Sequence, residues 1–269
     1  MQLSILPDCH SQQDPPDQPW QTARVTTASS TSWAELARDL SDALHLAEPP
    51  VAISFCAATP DGVPAFDAPM SEPAPDGRSG RVAAGCVFWV HGTSSSFATS
   101  PEDHANCSVG SFTHGLSSFA QVAGNDDVAA LLGSGWVTAE EASAIPSVST
   151  RPGAIVYGPL GDTPGGVDPD VVLLRVNGRQ LMVLSDALPG LSIEGKPQCH
   201  IVAIAKEQGA PAASVGCALS RARTGMRPEE MTCALPAAKL PGIVSAIRST
   251  SEVDTVVAKY AAGDARRFA

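Results

Sequence analysis

Short apolar strand signals alternate with helical segments along most of this 269-residue chain. The runs 51–55, 153–158 and 170–176 are rich in the branched and aromatic residues typical of strands. Ahead of the first run, apolar residues recur at helical spacing from Trp33 to Leu44. Such alternation predicts an α/β or α+β fold built on a mixed sheet.

The chain is expected to divide into a loose arm and a single domain. Residues 1–29 are rich in polar residues and proline and show no hydrophobic period, which predicts the arm. Residues 30–269 contain no second linker and are expected to form one α/β domain. The proline-rich stretch 57–80 predicts a long surface loop. Two separate helices, 237–248 and 252–262, are predicted to end the chain.

The second half of the domain repeats the order of elements in the first. In each half an apolar strand leads to a helix that opens with a cysteine, Cys86 in the first and Cys199 in the second. A strand and a further cysteine follow, Cys107 and Cys217 respectively. This echo predicts two pseudo-duplicated halves within one domain.

Charge and hydropathy exclude several classes of partner. Lys and Arg number 17 against 28 Asp and Glu, a net charge of -11, which disfavours nucleic acid and anionic membranes as partners. No apolar run reaches the length of a membrane-spanning helix, and the N-terminus lacks the features of a secretory signal. We therefore expect a cytoplasmic protein that acts on a small molecule, and the sequence leaves its oligomeric state open.

Seven cysteines are the main candidates for chemistry, and no two of them form a C-x-x-C pair. Their odd number in an acidic chain of this length favours a reducing compartment over a disulfide framework. Cys86 and Cys217 each follow a glycine at a predicted turn or helix start, where a lowered thiol pKa is expected. Cys107 lies between His104 and His114. Any site built from these thiols requires distant parts of the chain to converge.

Three converging thiolates would suit a soft metal centre. We expect Cys86, Cys107 and Cys217 to bind an iron–sulfur cluster with one iron left open to substrate, and zinc or haem remain alternatives. His104 and His114 are the candidate catalytic proton donors, or a fourth ligand.

Two arginines and an asparagine are the candidate substrate-binding residues. Arg221 and Arg223 follow Cys217 closely, and a pair of guanidinium groups in an acidic protein can bind a small anion. Asn106 precedes Cys107 and is the third candidate. An ion pair between the arginines and surface carboxylates is the structural alternative.

At these segments the sequence resembles the prokaryotic family catalogued as domain of unknown function 169. The resemblance runs from Leu36 to Leu240 and rests on Pro50-Val51-Ala52-Ile53-Ser54-Phe55, Gly85-Cys86 with Trp89, His104-x-Asn106-Cys107-x-x-Gly110 and Gly216-Cys217-x-x-Ser220-Arg221. It implies a soluble α/β protein with recurring cysteines at positions matching Cys86, Cys107 and Cys217, and it implies no reaction.

The residues leave three hypotheses for function. The first is an iron–sulfur or other metal enzyme that performs redox or lyase chemistry on a small anionic molecule. The second is a metal-free thiol enzyme in which His104 or His114 activates Cys107 or Cys217 as the nucleophile. The third is a non-catalytic protein that binds a metal, haem or metabolite through the same residues.

Overall fold

The computed structural model describes residues 31–67, 84–135, 137–195 and 197–267. The predicted arm, residues 1–29, and residues 68–80 of the predicted loop lie outside these described residues. The described residues form a mixed sheet with helices on both faces, which confirms the predicted α/β fold.

The described strands form one seven-stranded sheet. They are β1 (Val51–Cys56), β2 (Phe97–Thr99), β3 (Ala154–Pro159), β4 (Val171–Val176), β5 (Ser192–Glu194), β6 (Ala212–Ser214) and β7 (Met231–Pro236). Their order across the sheet is β2-β3-β1-β4-β7-β6-β5, and every neighbouring pair is antiparallel except the parallel pair of β5 and β6.

Six of these strands follow an order that is the same from either side. In the order β2-β3-β1-β4-β7-β6, exchanging β1 with β4, β3 with β7 and β2 with β6 gives the same order read from the opposite end. The centre of this arrangement is the β1–β4 pair, in which Val51 lies opposite Leu173. The order agrees with the expected pair of equivalent halves, and their duplication stays a prediction.

The helices cover both faces of the sheet. They are α1 (Trp33–Leu44), α2 (Gly85–His91), α3 (Ser108–Thr113), α4 (Phe119–Val122), α5 (Asp126–Gly133), α6 (Ala139–Ser143), α7 (Gly178–Ala187), α8 (His200–Ala203), α9 (Ala218–Thr224) and α10 (Leu240–Ala265). Helices α1, α7 and α10 pack with Val172 and Leu174 on one face. Helices α2 and α8 pack with Val171 and Leu173 on the other, as the strand pleat requires.

The C-terminal prediction of two helices is wrong, because residues 240–265 form one continuous helix. The hydroxyl of Ser249 donates to the carbonyl of Ser245 one turn earlier, so this polar stretch bonds within the helix and does not end it. Ser251 donates to the carbonyl of Ala43 and ties α10 to the end of α1. The chain therefore closes with a long helix against the first one.

The described part of the chain contains no helix that is both long and apolar enough to cross a membrane.

Candidate functional site

Four cysteines stand at the start of four helices on the α2–α8 side of the sheet. Cys86 is the second residue of α2, and Cys199 immediately precedes α8. Cys107 and Cys217 immediately precede α3 and α9. The three cysteines predicted from the sequence are thus joined by Cys199.

The electrostatics show that the four thiols lie close together. Burial raises the pKa of the Cys86 thiol to about 11, and charges on Cys107 and Cys217 add to the rise. Burial also raises the pKa of Cys199 well above its usual range, with further contributions from Cys107, Cys217 and Cys86. Such effects require the sulfur atoms to be near one another, and Cys107, Cys199 and Cys217 do line one cavity. We call this set of four side chains the thiol pocket.

The expectation of a lowered thiol pKa at the start of α2 is wrong. For Cys86, burial outweighs the start of this short helix and raises the pKa. Burial also raises the pKa of Cys107, although the N–H of Gly110 and the charge of Arg223 oppose the rise. These thiols are therefore protonated at neutral pH, and a bound cation would have to displace their protons.

Cys107 and Cys217 are held in the same way. The sulfur of Cys107 accepts a hydrogen bond from the N–H of Gly110 at 3.4 Å. The sulfur of Cys217 accepts one from the N–H of Ser220 at 3.3 Å. Each sulfur is therefore oriented by the first turn of the helix that follows it.

The two predicted substrate arginines differ in what they contact. Arg221 donates through Nη1 to the carbonyl of Arg227 at 2.7 Å, and through Nη2 to those of Val215 and Glu230 at 2.6 and 2.9 Å. Its guanidinium group thus ties the segment before α9 to the loop after it. Arg223 donates through Nη2 to the carbonyl of Asn106 at 2.9 Å.

The Arg223 side chain adds positive charge to the thiol pocket. Its charge lowers the pKa of both Cys86 and Cys107 against the larger effect of burial. Asn106 contacts Arg223 through its backbone carbonyl. The structure therefore brings Arg223 to the thiols, while Arg221 is engaged by backbone carbonyls.

The predicted histidines are both fully buried behind the thiols, with ring centroids 5.7 Å apart. Nδ1 of His114 contacts the carbonyl of Gly110 at 2.8 Å and must donate to it, which leaves Nε2 unprotonated. Nε2 of His104 lies 3.0 Å from the hydroxyl of Thr99, which itself donates to the carbonyl of Ile155. His104 therefore carries its proton on Nε2.

Burial keeps both rings neutral. It lowers the pKa of His114 to about 4, against a smaller raising effect of the Gly110 carbonyl. It also lowers the pKa of His104 well below its usual range, and the charge of His114 adds to this. An atom replacing the hydrogen of Gly85 as a Cβ would lie 2.9 Å from Cε1 of His114. The His114 ring is thus packed closely against the backbone of Gly85, the residue before Cys86.

Several buried polar atoms around the thiol pocket have no hydrogen-bond partner within the described ranges. They are Nε2 of His114, Nε1 of Trp89, the hydroxyl oxygen of Tyr157 and Nη1 of Arg223. Burial raises the pKa of Tyr157, and the charges of Cys86 and Cys199 add to it, which places the phenol near the thiols. Folded proteins leave few buried polar atoms unpaired, so this group of unpaired atoms indicates a binding site for a further polar group.

A cavity of about 400 Å³ opens beside the thiol pocket. Cys107, Cys199 and Cys217 contribute to its lining. Its remaining walls come mainly from apolar side chains on α3, α4, α5, α6 and α9, among them Phe112, Phe119, Leu131 and Leu219. The thiols are therefore reached from an apolar space.

In the described parts of the chain, no group of three or more His, Cys, Asp or Glu side chains is arranged to hold a single metal ion. The ligands of an iron–sulfur cluster bind different iron atoms, so they stand further apart than the ligands of one ion. The relevant comparison for the four thiols is therefore with the wider ligand spacing of an iron–sulfur cluster.

Cys199 is the residue whose role the sequence left open. The internal echo carried the signal, since it matched Cys199 to Cys86 and Cys217 to Cys107. In the structure Cys86 precedes β2 and Cys107 follows it, while Cys199 precedes β6 and Cys217 follows it, and β6 is the strand that corresponds to β2 in the sheet order.

A family model described as DUF169, Uncharacterised ArCR, matches residues 39–246. No curated protein and no solved structure matches the chain.

Proposed function

Because the chain belongs to the DUF169 family, which is described as uncharacterised, we propose its function from its own geometry: it is an iron–sulfur redox protein. Cys86, Cys107, Cys199 and Cys217 would hold the cluster. The observation that carries this proposal is the convergence of these four thiols from four separate segments.

The chemistry of the donor set fits a cluster. Four cysteine thiolates are the usual ligands of both two-iron and four-iron clusters. Charges on Cys107 and Cys217 raise the pKa of both Cys86 and Cys199, so these thiols can ionise together with their neighbours only when positive charge lies among them. Metal binding supplies that charge and releases the protons.

The unpaired polar atoms support the same proposal. The hydroxyl of Tyr157 and Nη1 of Arg223 are buried donors beside the thiols. Hydrogen bonds to sulfur and nearby charge are among the means by which proteins set cluster potentials. These side chains would bind and orient the sulfur-rich group and exclude water from it.

A fourth thiol favours redox over lyase chemistry. With three cysteine ligands one iron stays open as a Lewis acid, whereas Cys199 as a fourth ligand closes that position. When bound, the group would supply a reversible one-electron step. We place this activity in the cytoplasm, where thiols stay reduced, and its substrate is a small molecule.

The metal-free thiol enzyme is the weaker candidate. A cysteine nucleophile acts as a thiolate, but burial raises the pKa of Cys86, Cys107 and Cys199. His104 and His114 are buried and neutral, and Nδ1 of His114 is committed to the Gly110 carbonyl.

Anaerobic reconstitution with ferrous iron and sulfide tests the proposal. The protein should take up iron and sulfide in near-equal amounts and become brown, and Cys107→Ser and Cys199→Ser should each remove most of both. Cys56→Ser is the control, because Cys56 is the last residue of β1 and does not belong to the thiol pocket. Uptake of zinc or haem instead of iron and sulfide, or full uptake by Cys199→Ser, would overturn the four-thiolate cluster.

A further inference from the structure

The apolar cavity beside the thiol pocket carries an inference about the substrate. We infer that it binds an uncharged apolar small molecule next to the thiols. This inference deepens the proposed redox function and rests on it for the meaning of that binding. The cavity, of about 400 Å³, lies in the size range of small-molecule sites in proteins.

The charges of the lining disfavour an anion. Asp127 and Glu141 are the charged side chains that line the cavity in the described structure, and both are acidic. Asp127 accepts the backbone N–H groups of Ser108 and Val128 at 2.9 and 3.0 Å, so its carboxylate is held by the chain itself. Anionic molecules would meet these two carboxylates without an opposing cation in the lining.

Both carboxylates already accept hydrogen bonds from the chain itself, which reduces what they offer to a polar ligand. Glu141 accepts both the N–H and the hydroxyl of Thr138, at 2.8 and 2.9 Å, in the capping box of α6. What remains of the wall is mainly aliphatic and aromatic, with Phe112 and Phe119 packed edge to face at 5.8 Å. Transfer of apolar surface from water into such a site is favourable.

The position of the cavity links the ligand to the proposed redox centre. Cys107, Cys199 and Cys217 line the cavity as well as the thiol pocket. A molecule in the cavity therefore lies against three of the four sulfur atoms. Continuity with the thiols favours a reacting small molecule as the occupant over a segment of this chain or a second copy.

Binding of the uncharged fluorophore N-phenyl-1-naphthylamine to the reduced, metal-free full chain tests the inference. We expect saturable binding at one site and at least tenfold weaker binding of the anionic fluorophore 8-anilinonaphthalene-1-sulfonate. Bound fluorophore should also slow alkylation of Cys217, measured by mass spectrometry, while Cys56 keeps its rate. Stronger binding of the anion, or no protection of Cys217, would overturn the inference.

A cavity-filling variant separates this site from ordinary surface binding. Leu131→Trp adds an indole to the wall and should weaken binding of the fluorophore at least tenfold. Met182→Trp on α7 is the matched control, because Met182 is 47% exposed and belongs to the opposite layer, and it should bind as the parent does. Equal binding by both variants, each checked for an unchanged melting temperature, would contradict the inference.

Two further measurements keep the inference separate from the proposed function. Leu131 supplies no thiol, so Leu131→Trp should incorporate iron and sulfide as the parent does. Cluster uptake without fluorophore binding would overturn the apolar site alone, and binding without cluster uptake would overturn the redox proposal alone. Binding only after removal of residues 1–30 would identify that segment as the occupant and would contradict the inference.

Discussion

Cys107 and Cys217 occupy the same position at two different helices and make the same contact. Each precedes the first turn and accepts the backbone N–H of the residue three positions ahead, Gly110 or Ser220, at 3.4 or 3.3 Å. Their backbones are extended at this point, so both sulfur atoms turn back towards the helix start. The two halves of the chain thus present one thiol each in a matched setting.

Cys86 should be a slow nucleophile in the metal-free protein. Burial raises its pKa to about 11, so its thiolate fraction at pH 7 falls by about two orders of magnitude relative to an ordinary cysteine. A more basic thiolate is more nucleophilic, which offsets part of the loss in thiolate fraction. Alkylation of Cys86 by iodoacetamide should therefore be about tenfold slower than that of an ordinary cysteine. Mass spectrometry of the labelled peptides measures the rate, which should rise with pH up to pH 11. Urea-unfolded protein is the control, and faster labelling of Cys86 in the folded state would contradict this prediction.

Gly85→Ala should destabilise the fold by about 1–3 kcal/mol, because the new Cβ would overlap the buried ring of His114. Urea unfolding measures the loss, and iron uptake should fall with it because Cys86 is the next residue. Gly263→Ala is the control within α10, where the new methyl meets nothing within 4 Å. That control should be neutral or stabilising by up to about 1 kcal/mol. Equal stability of the two variants would show that the His114 ring can move aside.

Acid should destabilise the protein through His114. The folded pKa of about 4 lies below the ordinary value of 6.5, so between these values the unfolded chain binds a proton that the folded chain does not. The stabilising contribution is complete above pH 6.5 and is lost as the pH falls towards 4, to a total of about 3 kcal/mol. Unfolding free energies measured across this window should fall more steeply for the parent than for His114→Gln. His104 is present in both proteins, so parallel pH profiles would exclude His114 as the cause.

Arg223→Gln should make the reduction potential of the reconstituted protein more negative. The guanidinium charge lies beside the thiols and favours the reduced, more negative state. Each loss of about 1.4 kcal/mol in that interaction shifts a one-electron potential by about 59 mV, and we expect a shift of this order. Redox titration followed by visible absorbance measures it. Arg248→Gln, which removes an exposed charge paired with Asp39 on α1, should leave the potential unchanged.

The sequence predicts the strands well and the helices unevenly. Runs such as 170–176 are almost wholly apolar because both faces of β4 are buried, and such runs are recognisable without a structure. Helix α7 was not predicted, since its first turn reads as a polar loop after Asn177. Its signal was the capping box between Asn177 and Gln180, in which each side chain bonds the backbone of the other.

The candidate site was predictable only in part. Cysteines beside glycines in turn segments are visible in the sequence, but their meeting depends on the pairing of β1 with β4, which no local pattern specifies. The burial of His104 and His114 has no sequence signal, because neither segment is strongly apolar. Lowered thiol pKa values failed as an expectation for Cys86 because local helix position is weaker than the burial that tertiary packing creates.

The symmetric strand order has a consequence for biosynthesis. The chain emerges from the ribosome with Cys86 and Cys107 before β4, and Cys199 and Cys217 after it. A nascent chain that has reached only β3 contains two of the four cysteines of the thiol pocket and lacks β4, the strand that pairs with β1 at the centre of the sheet. The thiol pocket can therefore be completed only once Cys217 has been synthesised, and premature termination anywhere before Cys217 leaves the pocket incomplete.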